Sequence, residues 1–309
     1  MKLVVSSYNQ NQPACTLFEV NMDTLQVRKL DEKYLIAPSF IIEGDGYLYT
    51  YTKQPLQMIS YQVVQQQLIE IDRFSLSGQT LTHLVYSTKH KRLFAASYAD
   101  GAYCSLDVDH GKFSNLNYQK QLPDALLSQC HCVTLSEDEE KVYITNIALD
   151  RIFVYDIDFQ KIDEIQLPKG CGPRHTIAYE GYLYTITEYS NEVIVIDAAK
   201  REIRQRISTT QGYTGKTYGA TLLIKENQLF ASNRGLDTIA RYKFNQHQLV
   251  YQSMIPTYGE HSRHMILSKD CRYIISFNKN THNITYIDIE TGVCRLSISY
   301  PNVSCGVEC

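Results

Sequence analysis

A repeat of about 44 residues runs through the chain and constrains its fold more than any other feature. Each copy has a short apolar strand, a polar tip and a second, alternating strand, as in "KVYITNIALDRIFVYDID" and "YLYTITEYSNEVIVIDAA". One position in the first strand marks the register of the seven copies: Leu3, Leu48, Leu93, Val142, Leu183, Leu229 and Tyr273. A regular period of this length indicates an array of repeated units that covers the whole chain.

The repeat contains further strands on either side of this pair. A strand precedes six of the units, as in "THLVYST" and "RHTIAYE", and a weaker one follows, as in "KIDEIQL". Four strands in a unit of this length are typical of a β-propeller blade. We therefore predict an all-β, seven-bladed propeller that forms a single domain over residues 1–309. A stack of separate sandwich domains is the alternative, but it gives no reason for an unbroken register.

The first repeat lacks the preceding strand, because the chain starts directly with "MKLVVS". The last residues, "SCGVEC", supply a candidate for it. A C-terminal strand that completes the N-terminal blade would close the ring and leave no unpaired inner edge. We expect the ring to be closed in this way.

Composition excludes several classes of partner. The net charge of −3 and the pI near 6.3 provide no basic field for nucleic acid or anionic membrane. No apolar run approaches the 18 or so residues of a membrane span, and no signal peptide is visible. Nine cysteines, an odd number spread along the chain, indicate reduced thiols. We expect a cytoplasmic protein that acts on a small molecule, and nothing in the sequence indicates an oligomeric state.

The segment Cys130, His131 and Cys132 suggests a metal site at first sight. Successive residues of a strand point to opposite faces, so these three side chains do not easily meet one ion. We predict that the site contains no metal.

Equivalent positions of the repeats should form rings around the central channel of the propeller. The first ring, about eleven residues before each marker, reads Ser39, Thr82, His131, Arg174, Tyr218 and Arg263, with Cys305 or Gly306 in the seventh place. The second ring, five residues after each marker, reads Tyr8, Lys53, Tyr98, Ile147, Glu188, Arg234 and Asn278. Both rings should face the same side of the disc.

The rings bring together one carboxylate, one imidazole and three guanidinium groups, from Glu188, His131, Arg174, Arg234 and Arg263. Arginine binds carboxylate or phosphate through two parallel hydrogen bonds. Glu188 would act as a base or orient an arginine, and His131 would exchange protons or polarise a carbonyl group. The pattern predicts proton transfer or water activation at a small anionic acyl compound.

Purely structural roles compete with these assignments. Arg174 and Glu188 would equally form an ion pair that ties one blade together, and His131 would be an ordinary packed histidine of an inner strand. His175 and His264 follow the first-ring arginines, so the alternation of strand side chains predicts that they point away from the channel and pack. Only the convergence of five charged or titratable residues favours the functional interpretation.

Several motifs, "QCHCVTLSED", "CGPRH", "TITE", "SNRG" and "SRHMILSKD", resemble the seven-bladed β-propeller lactonase family over the length of the chain. That family includes the cycloisomerase-type bacterial 6-phosphogluconolactonases and the fungal carboxymuconate lactonizing enzyme. The resemblance implies that His131, Arg174, Glu188 and Arg234 are catalytic. This chemistry requires no metal or organic cofactor. The sequence departs from the family pattern at Cys132, where glycine is usual.

Two further departures are Thr187, where asparagine usually precedes the glutamate, and Ser262, where proline usually precedes Arg263. The substrate implied by the resemblance is 6-phospho-D-glucono-1,5-lactone of the pentose phosphate pathway. Glu188 or His131 would activate water, while Arg174 and Arg234 would hold the carbonyl oxygen and anionic groups.

Four further residues are expected to bind the substrate: Arg263, Lys53, Asn233 and Asn278. Lys53 would contact a phosphate or would simply be a solvated lysine at a tip. Two other functions stay open at this point. One is a lactonizing enzyme that acts on a muconate-type dicarboxylate, and the other is a non-catalytic propeller scaffold that binds a protein through its rim.

Overall fold

The chain forms seven antiparallel four-stranded sheets in a computed structural model that describes residues 1–122 and 127–309. These residues contain no helix that is long and apolar enough to cross a membrane. The sheets are the blades of a β-propeller, and the predicted all-β, seven-bladed architecture is confirmed. We number the blades in chain order and give the strands of each from the centre outwards.

Blade 1 contains β28 (Val303–Glu308), β1 (Lys2–Ser7), β2 (Cys15–Asn21) and β3 (Gln26–Lys33). Blade 2 contains β4 (Ile41–Gly44), β5 (Tyr47–Lys53), β6 (Leu56–Val64) and β7 (Gln67–Ser75). Blade 3 contains β8 (His83–Ser87), β9 (Arg92–Ala96), β10 (Ala102–Asp109) and β11 (Lys112–Lys120). Blade 4 contains β12 (Cys130–Leu135), β13 (Lys141–Asn146), β14 (Arg151–Asp156) and β15 (Lys161–Gln166).

Blade 5 contains β16 (Pro173–Tyr179), β17 (Tyr182–Thr187), β18 (Glu192–Asp197) and β19 (Glu202–Ser208). Blade 6 contains β20 (Tyr218–Lys225), β21 (Gln228–Arg234), β22 (Thr238–Asn245) and β23 (Gln248–Pro256). Blade 7 contains β24 (Ser262–Leu267), β25 (Tyr273–Asn278), β26 (Asn283–Asp288) and β27 (Cys294–Ser299).

The C-terminal strand closes the ring. β28 pairs with β1 in the antiparallel sense, with Leu3 opposite Glu308 and Val5 opposite Gly306. β28 also contacts β24 of blade 7 and β4 of blade 2, so the inner strands form an unbroken circle. The inner edge of β1 is therefore paired, and the predicted role of the last residues is confirmed.

The middle strands are buried on both faces because every blade packs against two neighbours. Leu183 and Tyr184 point to opposite faces of blade 5, and both are almost fully buried. Leu183 packs with Val154 of blade 4, whereas Tyr184 packs with Leu222 and Ala240 of blade 6. Burial of such a side chain stabilises the fold by about 1.5–3 kcal/mol. These contacts set the position of each blade and therefore of its inner strand.

A β-bulge interrupts the pairing of inner and second strands in several blades. In blade 5, Pro173 lies opposite Thr187 and His175 lies opposite Ile186, which leaves Arg174 without a partner residue. A bulge changes the direction in which side chains point, so that consecutive residues can face the same side. Arg174 and His175 accordingly both line the central channel.

The same arrangement recurs at Arg263 and His264 in blade 7, and both of these residues also line the channel. The expectation that His175 and His264 point away from the channel was therefore wrong. Strict alternation of side chains does not hold across a bulge.

Candidate active site

The strand register defines the first ring of residues around the channel. Ala178 pairs with the marker Leu183, and Arg174 lies four residues before Ala178. The same offset in the other blades gives a ring of Ser39, Thr82, His131, Arg174, Ala220, Arg263 and Ser304. Ala220 takes the place expected for Tyr218, because Ile224 pairs with the marker Leu229 and Ala220 lies four residues before Ile224. Ser304 takes the place expected for Cys305 or Gly306.

The second ring differs from the sequence prediction in blade 7. Leu267 pairs with Ile274, as Ala178 pairs with Leu183, so Ile274 and not Tyr273 is the equivalent position. The second-ring position of blade 7 therefore moves by one residue along the chain and is occupied by Lys279 and not by Asn278. The second ring is therefore Tyr8, Lys53, Tyr98, Ile147, Glu188, Arg234 and Lys279.

The two rings enclose a cavity of about 290 Å³ at one mouth of the channel. Its lining contains six of the predicted site residues: His131, Arg174, Glu188, Arg234, Arg263 and Lys53. Tyr8, Ser39, Thr82 and Tyr98 complete most of the wall. A larger depression of about 810 Å³ lies on the outer strands of blade 1, far from these converging charges.

Glu188 bridges two buried arginines. Its Oε2 atom lies 3.3 Å from Arg174 Nε and 3.1 Å from Arg234 Nη2. The side chains of Arg174 and Arg234 are only 5% and 6% exposed, and that of Glu188 is 18% exposed. One carboxylate thus partly neutralises two guanidinium groups inside a poorly solvated cavity, where such interactions are stronger than at the surface.

Backbone carbonyl groups of blade 6 fix the two arginines further. Arg174 Nη1 donates a hydrogen bond to the carbonyl oxygen of Ala220, and Arg234 Nη2 donates to that of Gly219 at 3.1 Å. Burial and the surrounding cations lower the pKa of both guanidinium groups, and Glu188 opposes this shift. Guanidinium pKa values start so high that we treat both groups as charged near pH 7.

Two glycines allow the close approach of these elements. Gly172, in "CGPRH", has a φ of +65°, and a β-carbon there would collide with the ring of Tyr189. A β-carbon on Gly219 would collide with the carbonyl oxygen of Thr187. The Gly219 N–H donates to the carbonyl oxygen of Glu188 at 3.2 Å, so Gly219 holds blades 5 and 6 together beside the carboxylate.

His131 is a buried, neutral imidazole beside the arginines. The residue is 7% exposed, and its Nδ1 atom has no hydrogen-bond partner in the described part of the chain. Burial, and then the positive charges of Arg174 and Arg263, hold its pKa well below 6.5. His131 therefore stays unprotonated at physiological pH and is able to accept a proton.

Asn233 and Asn278 were expected to bind substrate, but the structure places both side chains in the fold. Both residues are fully buried. The Asn233 amide group accepts from Thr209 Oγ1 at 2.6 Å and donates to the Thr209 carbonyl oxygen at 2.8 Å. The Asn278 amide group accepts a hydrogen bond from Ser276 Oγ and donates one to the Thr257 carbonyl oxygen. Because these polar atoms are already paired, we assign both residues to the fold.

A group of possible metal ligands lies one layer below the arginines, where His83, Cys132 and His175 place their ligand atoms within 4.8 Å of one another. His175 Nδ1 accepts a hydrogen bond from the Leu222 N–H at 3.0 Å, so the neutral ring carries its proton on Nε2. Because Nε2 of His175 carries this proton, it has no free lone pair with which to bind a metal ion. Cys130 is not part of the group, because its sulfur bonds to the Gly101 carbonyl oxygen.

The described cysteines are all free, as the sequence indicated, and most of them are buried.

The model of the family described as "Lactonase, 7-bladed beta-propeller" matches residues 2–307. The chain belongs to the seven-bladed β-propeller lactonase family. This family assignment confirms the predicted resemblance and the prediction of a lactonase.

Relatives at low identity agree with the assignment. A protein of Formosa agariphila named 6-phosphogluconolactonase is 24% identical, over 94% of this chain and 93% of its own length. A Bacillus subtilis protein of the same name is also 24% identical, but the match covers 56% of this chain and 54% of that protein.

Solved structures share the fold of this lactonase. The periplasmic gluconolactonase PpgL of Pseudomonas aeruginosa superimposes with a TM-score of 0.87 at 19% identity, over 99% of this chain and 98% of that one. A putative 6-phosphogluconolactonase of Bacteroides fragilis gives a TM-score of 0.85 at 17% identity, over 99% and 97%. At these identities the likeness concerns the fold alone.

Proposed function

We propose that this lactonase hydrolyses 6-phospho-D-glucono-1,5-lactone to 6-phosphogluconate, a reaction of the pentose phosphate pathway. The observation that carries the proposal is the cluster in which Glu188 bridges Arg174 and Arg234 beside a neutral His131, inside the cavity of about 290 Å³. These groups supply what lactone opening requires: a proton acceptor, and cations where negative charge develops.

His131 is the better candidate for the base. Oε2 of Glu188 is already engaged by two guanidinium groups, whereas Nδ1 of His131 has no hydrogen-bond partner among the described residues. His131 is unprotonated, and an anionic substrate would offset the nearby positive charges and increase its basicity. Glu188 then acts as a positioning residue that holds the two arginines.

The proposed reaction proceeds through a tetrahedral intermediate. The oxygen of a water molecule attacks the lactone carbonyl carbon while His131 takes the proton of that water. Negative charge develops on the former carbonyl oxygen, where Arg174 and Arg234 stabilise it. The bond between the carbonyl carbon and the ring oxygen then breaks, and protonated His131 returns a proton to the released ring oxygen. The carbonyl group re-forms, which gives a carboxylic acid and an open-chain hydroxyl group, and the acid then releases its proton to solvent to become the carboxylate.

The names of the relatives support this substrate, since the Formosa agariphila protein, which aligns along almost the whole chain, carries the name 6-phosphogluconolactonase. A cytoplasmic location stays a prediction, because a structural neighbour, PpgL, is a periplasmic protein.

A substrate panel tests the proposal. The purified chain is mixed with 6-phospho-D-glucono-1,5-lactone, with D-glucono-1,5-lactone and with a muconate-type lactone, and spontaneous opening is subtracted. We expect the greatest acceleration with the phosphorylated lactone. Acceleration restricted to the muconate-type lactone would favour a lactonizing enzyme for dicarboxylates, and no acceleration by the folded protein would favour a binding scaffold.

A further inference from the structure

Three cationic side chains surround one tyrosine ring on the wall of the cavity opposite Glu188. Lys279 Nζ lies 5.1 Å from the centre of the Tyr8 ring, Lys53 Nζ lies 5.5 Å from it, and Arg263 Cζ lies 5.1 Å from it. Tyr8 belongs to blade 1, Lys53 to blade 2, and Arg263 and Lys279 to blade 7. The closure of the ring by β28 therefore brings these groups together.

These three cations lack the compensation that Glu188 provides for its two arginines. Among residues 1–122 and 127–309, we find no carboxylate in an ion pair with Lys53, Arg263 or Lys279. Burial lowers the pKa of Lys53 and of Lys279, and the charge of Arg263 lowers both further. Three half-buried positive charges that repel one another are unfavourable in the free protein. A bound anion would relieve this repulsion.

The cavity is consequently divided into two halves. One half contains Arg174, Arg234 and Glu188, whose formal charges sum to +1. Lys53 and Arg263 line the other half, and Lys279 lies beside them against the ring of Tyr8. The charges of these three residues sum to +3. A neutral lactone with one carbonyl group needs only the first half, whereas the second matches a group that carries two negative charges and three acceptor oxygens.

We propose that Lys53, Arg263 and Lys279, placed around Tyr8, form the subsite for the phosphate group and select phosphorylated over unphosphorylated lactones. This inference rests on the proposed function. The lactone carbonyl group then lies at blades 4 to 6, near His131 and Arg174, and the phosphate lies at the junction of blades 7, 1 and 2. Tyr8 holds the three cations together through contacts with its ring.

The experiment replaces the two lysines by an uncharged side chain of similar length, in Lys53→Met and Lys279→Met. The kcat/KM for the phosphorylated lactone should fall about ten- to hundredfold in each variant, as expected for the loss of a charge-assisted hydrogen bond. The kcat/KM for D-glucono-1,5-lactone should change little. The ratio of kcat/KM for the phosphorylated lactone to that for D-glucono-1,5-lactone should therefore fall by about the same factor.

Lys216→Met is the matched control. The Lys216 ammonium lies 5.7 Å from the ring centre of Tyr218, in a similar arrangement on blade 6, but it is not one of the three cations around Tyr8. This variant removes the same charge and should leave the ratio unchanged. An equal fall for both lactones in Lys279→Met, or an equal loss of selectivity in Lys216→Met, would overturn the subsite.

A binding measurement separates the subsite from the reaction. Calorimetric titration with 6-phosphogluconate and with gluconate should show tighter binding of the phosphorylated acid by the wild-type chain, and Lys279→Met should lose the difference. If the wild-type chain binds in this way but opens no lactone, the proposed function fails and the subsite stands. If the variant binds 6-phosphogluconate as tightly as the wild type does, the subsite is wrong.

Discussion

Glu188 is the residue on which the charge balance of the site depends. Its carboxylate is the acidic group that pairs with Arg174 and Arg234, and both arginines are almost completely shielded from water. A charge that loses its partner in such surroundings costs several kcal/mol, because neither water nor another carboxylate replaces the lost interaction.

The Glu188→Gln substitution preserves shape and removes the charge. We expect kcat to fall by about 10²–10³, since the arginines lose the orientation needed to stabilise the oxyanion. We also expect the free energy of unfolding to fall by about 3–5 kcal/mol, the cost of breaking a buried ion pair. Initial rates and urea denaturation measure the two effects.

Glu192→Gln is the control on the same blade. Glu192 forms an ion pair with Arg206 at 2.8 Å, but that arginine side chain is 46% exposed. Loss of an exposed ion pair should change the free energy of unfolding by no more than about 1 kcal/mol and leave the rate unaltered. Similar effects of the two substitutions would show that the Glu188 bridge has no special role.

At the scale of the strand, the repeat explains what the sequence predicted correctly, and a β-bulge and an ambiguous register explain two errors. The repeat predicted the blades, the closing strand and the convergence of His131, Arg174, Glu188 and Arg234. A bulge leaves no reliable mark in the sequence, so the side on which His175 lies was not predictable from alternation. Lys279 was missed because the apolar run "YIISF" fits the repeat equally well when shifted by one residue.

The closing strand β28 gives a prediction for its glycine. A β-carbon on Gly306 would lie 2.7 Å from the Phe277 ring and 2.9 Å from the Val4 carbonyl oxygen. Gly306→Ala should therefore lower the free energy of unfolding by about 1–3 kcal/mol through overpacking. Urea denaturation measures this change.

Cys271→Ser, at an exposed cysteine before β25, should change the free energy of unfolding by no more than about 0.5 kcal/mol. An unaltered midpoint for Gly306→Ala would mean that β28 does not pack tightly between β1 and blade 7.

At the scale of the whole molecule, the channel gathers neutral histidines that the unfolded chain would protonate in mild acid. Burial lowers the pKa of His83 and of His264 to about 3, and the pKa values of His131 and His175 also lie well below 6.5. The folded state thus binds fewer protons than the unfolded state once the pH falls below about 6.5. Stability contributed by these groups is complete above that pH and is lost as the pH decreases towards 3.

We therefore expect the free energy of unfolding to decrease between pH 6.5 and pH 5, by up to about 1.4 kcal/mol per pH unit for each histidine. Most carboxylates stay ionised in this interval, so they contribute little to the slope. His264→Gln should reduce the slope, whereas His110→Gln should not, because the His110 side chain is 86% exposed. A flat profile over this interval would show that the channel histidines gain no protons on unfolding.

The most direct test of the proposed catalytic site is the rate of opening of 6-phospho-D-glucono-1,5-lactone by wild-type protein and by His131→Asn, corrected for spontaneous hydrolysis. If His131 accepts the proton of water in this cavity, the wild type accelerates the reaction strongly and the folded variant loses about 10²–10⁴-fold in kcat. Wild-type activity in the folded variant would contradict the assignment of the base. A folded wild-type protein without acceleration would contradict the proposed reaction itself.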